Sequence, residues 1–322
     1  MMKQFFFASL FALCLSACAQ EEGPVVDADP DISANIETTD MPGMAALLTW
    51  SDLLSQEKPT PSQTIRFDEG TTDLVDLWLP ETPGPHPVVV MVHGGCWQKA
   101  IADRTLMNYA AEDLRQRGMA VWNIEYRGVE EEGGGYPGTY LDVARAADAL
   151  REHAAANDLD MSRVAGIGHS AGGHLVTWLA TRPALKNDSP LHSSDPLIMQ
   201  GVINAGGLAD LKLSVQVTQY DCLGAILDDL IGTATDARPN VYSDTSPAEM
   251  LPIPGNFVSV SGAMDRISPP GLADALAEKD RTAGGSGRAI IVPGNNHVDL
   301  IAPGTAAWET QVDLLQEILA PR

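Results

Sequence analysis

From about residue 63 onward, short apolar runs alternate with stretches of helical spacing. Gln63 to Glu69 and Asp73 to Pro80 alternate apolar and polar positions around Gly70, a pattern that predicts an antiparallel strand pair at one edge of a sheet. From Pro87 the pattern changes. Pro87 to Val92, Met119 to Glu125, Arg163 to Gly168, Met199 to Ala205, Asn256 to Ser261 and Ala289 to Val292 are nearly continuous apolar runs. Between and after them, Asp103 to Arg117, Thr139 to Asn157, Ala171 to Arg182, Leu272 to Arg281 and Ala306 to Leu319 carry apolar residues at helical spacing. Strands covered on both faces lose their alternation, so this order predicts an α/β fold: a mostly parallel sheet with helices on both faces. Reactive groups in such sheets sit at the carboxyl ends of the strands.

Those ends carry chemistry. Gly168-His169-Ser170-Ala171-Gly172 follows an apolar strand and opens a helix, which is the form of a nucleophile elbow. A serine on so tight a turn has an exposed hydroxyl, and side chains in place of the flanking glycines would collide with neighbouring backbone. The bland alternative is a glycine-rich turn whose serine caps the helix. Asp265 follows the Asn256 run, with Pro269 and Pro270 stiffening the turn after it, and His297 follows the Ala289 run. A serine hydroxyl is protonated at neutral pH and needs an imidazole to take its proton; a carboxylate on the other ring nitrogen fixes the tautomer. Ser170, His297 and Asp265 fit those roles in the chain order serine, acid, histidine. Asp299 is a weaker orienter in reserve. His169 and His174 read as structural, and His86, His153 and His192 receive no role.

A third strand end, His93-Gly94-Gly95-Cys96-Trp97, resembles the HGG-type oxyanion loop of α/β-hydrolase esterases. The resemblance, which groups the chain with the feruloyl and acetylxylan esterase relatives and the kynurenine formamidases, runs from about Gln63 to the end. It implies an α/β-hydrolase fold and an oxyanion hole made by the amides of Gly95, Cys96 and Ala171, with His93 and Gly94 supporting the loop. Cys96 stands where a third glycine or an alanine is more usual, but only its amide is required. Tyr126-Arg127-Gly-Val and Asp142 match a structural network beside the site in these enzymes. Gly207-Leu-Ala-Asp210 and Ser246-Pro247 bracket a variable insertion, residues 212–245, expected as a small cap. The resemblance implies a serine carboxylic ester hydrolase working through an acyl-enzyme on short-chain or carbohydrate-linked acyl esters. An amidase or peptidase of the same fold, and a non-catalytic binding protein, are the alternatives.

The first residues tell a separate story. Lys3, the apolar run from Phe5 and Leu15-Ser-Ala-Cys18 form an export signal ending in a lipobox-like sequence, with Cys18 as the lipidated residue; ordinary secretion is the alternative. Residues 1–17 are therefore expected as signal, 18–61 as an acidic tether with a docking helix near Met44 to Gln56, and 62–322 as the catalytic domain. The implied location is the cell envelope, with the lipid anchor as the membrane contact. A formal charge of −23 over 322 residues repels nucleic acid. Cys14 and Cys18 lie in the signal, leaving Cys96 and Cys222 to pair or stay free in an oxidising compartment. No metal-ligand cluster or phosphate loop stands out, so neither metal nor cofactor is expected. Oligomeric state is not legible.

Overall fold

Apolar runs that contribute to both faces of a sheet must be covered twice, and the computed structural model, which describes residues 47–218 and 222–321, shows how. Eight strands form one sheet: β1 (Gln63–Arg66), β2 (Leu74–Trp78), β3 (His86–Val92), β4 (Ala120–Ile124), β5 (Leu159–His169), β6 (Gly201–Ala205), β7 (Asn256–Gly262) and β8 (Arg288–Val292). Their order is β1-β2-β4-β3-β5-β6-β7-β8. The β1–β2 and β2–β4 pairs are antiparallel and the remaining pairs parallel, as the alternating and continuous patterns require.

Central β3 shows the physical reason for its continuous apolar sequence. Val88, Val90 and Val92 enter one core while Val89 and Met91 enter the other, all fully buried. On the first face lie α3 (Gly138–Ala154), α4 (Ala171–Thr181) and α7 (Gly271–Thr282); on the second lie α2 (Asn108–Gln116) and α8 (Ala306–Ile318). Tyr140, Val143 and Leu175 pack on one side, and Leu114, Trp308 and Leu315 on the other. This is the α/β-hydrolase arrangement.

Two elements differ from their sequence-predicted lengths for local reasons. The stretch beginning at Asp103 enters as a 3-10 turn, Arg104–Met107, because the Asp103 carboxylate accepts the Thr105 amide at 2.9 Å and holds the first turn tight; α2 follows. The expected docking helix is the single turn α1 (Trp50–Leu54), which starts where Thr49 and Asp52 form a reciprocal capping box. Leu53 of α1 is fully buried in the second core. The signal, Cys18 and most of the tether lie outside the described residues.

The expected insertion carries α5 (Leu211–Thr218) and α6 (Leu227–Ile231). Leu223, Leu230 and Ile231 bury against the first core, and Cys222 forms a disulfide with Cys96, a pairing left open by the sequence. The bridge ties the insertion to the loop after β3. It closes a loop across a separation of 126 residues, long enough that the chain-entropy model assigns it several kcal/mol. Replacing Cys222 by Ala should therefore lower unfolding free energy by about 2–5 kcal/mol relative to the oxidised protein. Denaturant titrations of wild type with and without reductant and of Cys222→Ala read this directly; coincident midpoints would show that the bridge contributes nothing.

Candidate active site

The site begins with an absence of room. A Cβ on Gly168 would lie 2.1 Å from the carbonyl oxygen of Gly172, and one on Gly172 would lie 2.1 Å from the carbonyl of Val92 in β3. Without side chains at these two places, β5 turns into α4 within one residue. That residue is Ser170, at φ +55° and ψ −121°, a region that non-glycine residues enter only under constraint. Its amide donates to Ala205 of β6 at 2.9 Å, while its side chain makes no capping bond to α4. The alternative of a serine that merely caps a helix therefore lacks its defining hydrogen bond.

The loop after β3 passes beside this turn. Gly95, Cys96 and Trp97 have φ of +115°, +54° and +55°, so two side-chain-bearing residues occupy a conformation that favours glycine. Among the described residues no protein acceptor takes the amides of Gly95, Cys96 or Ala171. What holds the strained loop is a set of buried contacts. Cys96 is fixed by its disulfide and Trp97 is fully buried. The Trp97 indole donates to His174 Nδ1 at 3.1 Å, and Val129 donates to the Trp97 carbonyl at 2.8 Å.

His93 does not face the reaction centre. Its Nδ1 meets the Gly94 carbonyl at 2.7 Å, its Nε2 meets Glu125 at 3.0 Å, and its ring stacks on Tyr126 with centroids 4.2 Å apart. Tyr126 returns a hydrogen bond to the His93 carbonyl at 3.0 Å, and Arg127 pairs with Asp142 through two bonds of 2.6 and 2.8 Å. Burial penalises the charge on Glu125, yet the bond from His93 and the ammonium of Lys99 outweigh it and hold this carboxyl well below the usual range. Sequence reasoning missed Glu125. Its signal lies in the sheet register rather than in the local sequence: β3 and β4 run parallel with Val92 opposite Ile124, which sets the next residues, His93 and Glu125, side by side.

At the ends of β7 and β8 the expected acid and base meet. His297 Nδ1 lies 2.7 Å from Asp265 Oδ2, and both residues are about 5 % exposed or less. The other Asp265 oxygen accepts the amides of Ile267 and Ser268 at 2.9 and 2.8 Å, so this carboxylate is oriented by backbone before it orients the imidazole. Asp299 does not compete. It accepts the Asn296 amide, and burial raises its pKa. Ser170, His297, Gly95 and Cys96 line one cavity of about 250 Å³, together with Trp50, Leu54, Ile101, Ala102, Leu106, His169 and Ile267. No described residue of 212–245 lines it; the insertion reaches the site through Cys222.

His169 and His174 act on the surrounding backbone. His169 Nε2 meets the His297 carbonyl at 3.0 Å with the two rings 4.4 Å apart, and burial followed by the proximity of His297 pushes its pKa well down. His174 Nε2 meets the Thr245 carbonyl at 2.7 Å while Nδ1 accepts from Trp97. The neutral tautomer satisfies both bonds, whereas a second proton would oppose the indole N–H. Burial accordingly pushes the His174 pKa down to about 4 from an ordinary 6.5.

Because the unfolded imidazole titrates near 6.5 and the folded one near 4, the unfolded chain takes up the proton first as pH falls. Stability from neutral His174 is thus complete above about pH 6.5, declines down to about pH 4 and then levels. The span is worth about 3 kcal/mol. Urea unfolding between pH 7 and 4 should show a flatter decline for His174→Gln than for wild type; parallel curves would contradict the assignment.

Comparison with known proteins bears on the fold and the family. The BD-FAE family model matches residues 75–279, well over half of the chain, a span containing the loop after β3, the turn at Ser170 and Asp265. A truncated carbohydrate esterase from gut microbiota is similar in structure, with TM-score 0.64 and 21 % identity over 81 % of this chain and 98 % of that one. A thermophilic esterase from Thermogutta terrifontis, solved with propionate bound, has TM-score 0.64 and 20 % identity over 84 % of this chain and 99 % of its own. Esterase B from Lactobacillus Rhamnosis has TM-score 0.66 and 18 % identity over 81 % and 87 %. No curated protein matches in sequence. Identities this low speak for the fold, and the family match speaks for kinship: the chain belongs to the BD-FAE family and has the α/β-hydrolase fold.

Proposed function

We propose that the protein is a serine carboxylic ester hydrolase that acts through an acyl-enzyme on Ser170. The observation that carries the reading is the shared cavity. Ser170, held at positive φ with its hydroxyl uncommitted to a cap, and His297, bonded to Asp265, open onto the same small apolar space as Gly95 and Cys96.

The steps follow from the groups. The Ser170 hydroxyl attacks the ester carbonyl carbon while His297 Nε2 takes its proton. The carbonyl oxygen becomes an anion facing the amides of Gly95, Cys96 and Ala171, with Ala171 also supplying the positive end of α4. Collapse breaks the bond to the alcohol oxygen, which leaves with the proton from His297. Water then adds to the acyl-serine, giving its proton to His297, and the second collapse returns that proton to Ser170 as the acid departs. Asp265 remains ionised and keeps the imidazole aligned.

Short-chain or carbohydrate-linked acyl esters are the proposed substrates. The size of the cavity and the descriptions of two structural neighbours, a carbohydrate esterase and an esterase holding propionate, support that class. Against p-nitrophenyl esters, wild type should turn over the short members. Ser170→Ala should lose on the order of 10⁶-fold in kcat, and Asp265→Asn on the order of 10⁴-fold. A folded wild type that hydrolyses none of them would contradict the reading.

We also propose that Cys18 is lipidated and anchors the enzyme to the cell envelope, supported by Leu15-Ser-Ala-Cys18 after an apolar run. No helix among the described residues is long and apolar enough to cross a membrane. Fractionated cells should hold the native protein in the membrane pellet and release Cys18→Ala into the soluble exported fraction; equal distribution would rule the anchor out.

A further inference from the structure

The cavity beside Ser170 is walled in part by a segment that precedes the family-matched region. Trp50 and Leu54 of α1 line it together with Ile101, Ala102, Leu106 and Ile267, whereas the match begins at residue 75. Resting on the ester-hydrolase reading, we propose that α1 forms the outer wall of the acyl pocket and that Trp50 and Leu54 set the length of acyl chain the enzyme accepts.

The wall is a fixed part of the body. Its first turn is closed by the Thr49–Asp52 capping box, and Leu53, between the two pocket residues in sequence, is fully buried in the second core. The chain on either side is pinned by three long-range bonds. Asn296 Nδ2, from the loop carrying His297, donates to the Leu48 carbonyl at 2.8 Å, Tyr109 donates to Gln56 at 3.2 Å, and Asn108 donates to Pro59 at 2.9 Å. Residues 48 to 59 are thereby tied to the base loop and to α2. The Trp50 ring meets His169 and His297 edge-on, with centroids 6.1 and 6.4 Å away. It therefore bounds the pocket at the imidazole that moves the proton.

The lining identifies the occupant. Six apolar residues line the space, and a sugar or other polyhydroxyl alcohol would leave its hydroxyls unpaired there, which disfavours it. An acyl chain would lose nothing and gain burial. About 250 Å³ holds roughly eight groups of the ~30 Å³ that a water molecule takes in the liquid. After the ester group itself is seated, room is left for an unbranched chain of up to about six carbons. At the mouth Leu54 and Ile101 are 49 % and 58 % exposed, so longer chains would have to run into solvent beyond them. On this assignment the alcohol stays outside the apolar pocket and is free to be large and polar.

Hydrolysis of p-nitrophenyl esters from acetate to decanoate by the full chain tests this. Each buried methylene is worth about fourfold in kcat/KM, so wild type should rise from acetate to about hexanoate and then fall. Trp50→Ala should move the optimum to longer chains and raise the decanoate-to-acetate ratio at least tenfold, mainly through KM. Leu54→Trp, at a half-exposed position that tolerates bulk, should do the opposite and reduce hexanoate at least tenfold relative to acetate. A parallel series of acetates with alcohols of increasing size should give the same profile in all three proteins. Ser170-dependent turnover with unshifted acyl profiles in both variants would overturn the role of α1 while leaving the hydrolase reading intact. So would a shift confined to the alcohol series. No turnover by folded wild type would remove both.

Discussion

Everything in the site depends on one close approach of backbone. β3, β5 and the start of α4 come together so tightly that neither Gly168 nor Gly172 has space for a methyl group. The chain can reverse from strand to helix only by placing Ser170 at positive φ, a conformation that costs on the order of 1–3 kcal/mol and must be stabilised by its surroundings. The surroundings are the two cores that clamp the sheet on both faces and the bond from the Ser170 amide to β6.

The same logic extends to the loop after β3. Cys96 and Trp97 also occupy the left-handed region, and three separate devices oppose their relaxation: a disulfide to the insertion, a buried indole bonded to His174, and the His93–Glu125–Tyr126 cluster beneath. Each device recruits a different element, so the loop that lines the cavity is positioned by α4, β4 and residues 212–245 together. In the proposed reaction, a loop held in this way does not have to reorganise when negative charge develops beside it, which is what makes preorganised amides effective.

What could be read from the sequence was what is encoded locally. The strand pattern, the edge hairpin, the elbow glycines and the two strand ends carrying Asp265 and His297 are short-range signals, and each lies where its spacing implied. Contacts set by tertiary register were not legible. Glu125 meets His93 because Val92 pairs with Ile124; His169 reaches the His297 carbonyl because the loop after β8 returns past β7 and β6 to the end of β5. Trp50 was hidden for a further reason, since a single helical turn has too few positions to show periodicity and its pocket wall is completed by residues far along the chain. The pairing of Cys96 with Cys222 was open for the same cause: a count of cysteines does not say which loops approach.

The central claim is that Ser170 becomes covalently acylated during turnover. Rapid acid quenching of the enzyme during hydrolysis of excess p-nitrophenyl acetate, followed by peptide mass spectrometry, addresses that step directly. The account predicts a peptide heavier by one acetyl group, with the modification on Ser170 and its amount matching a burst of nitrophenol. Steady turnover with an unmodified Ser170, or acetyl groups only on other residues, would contradict it.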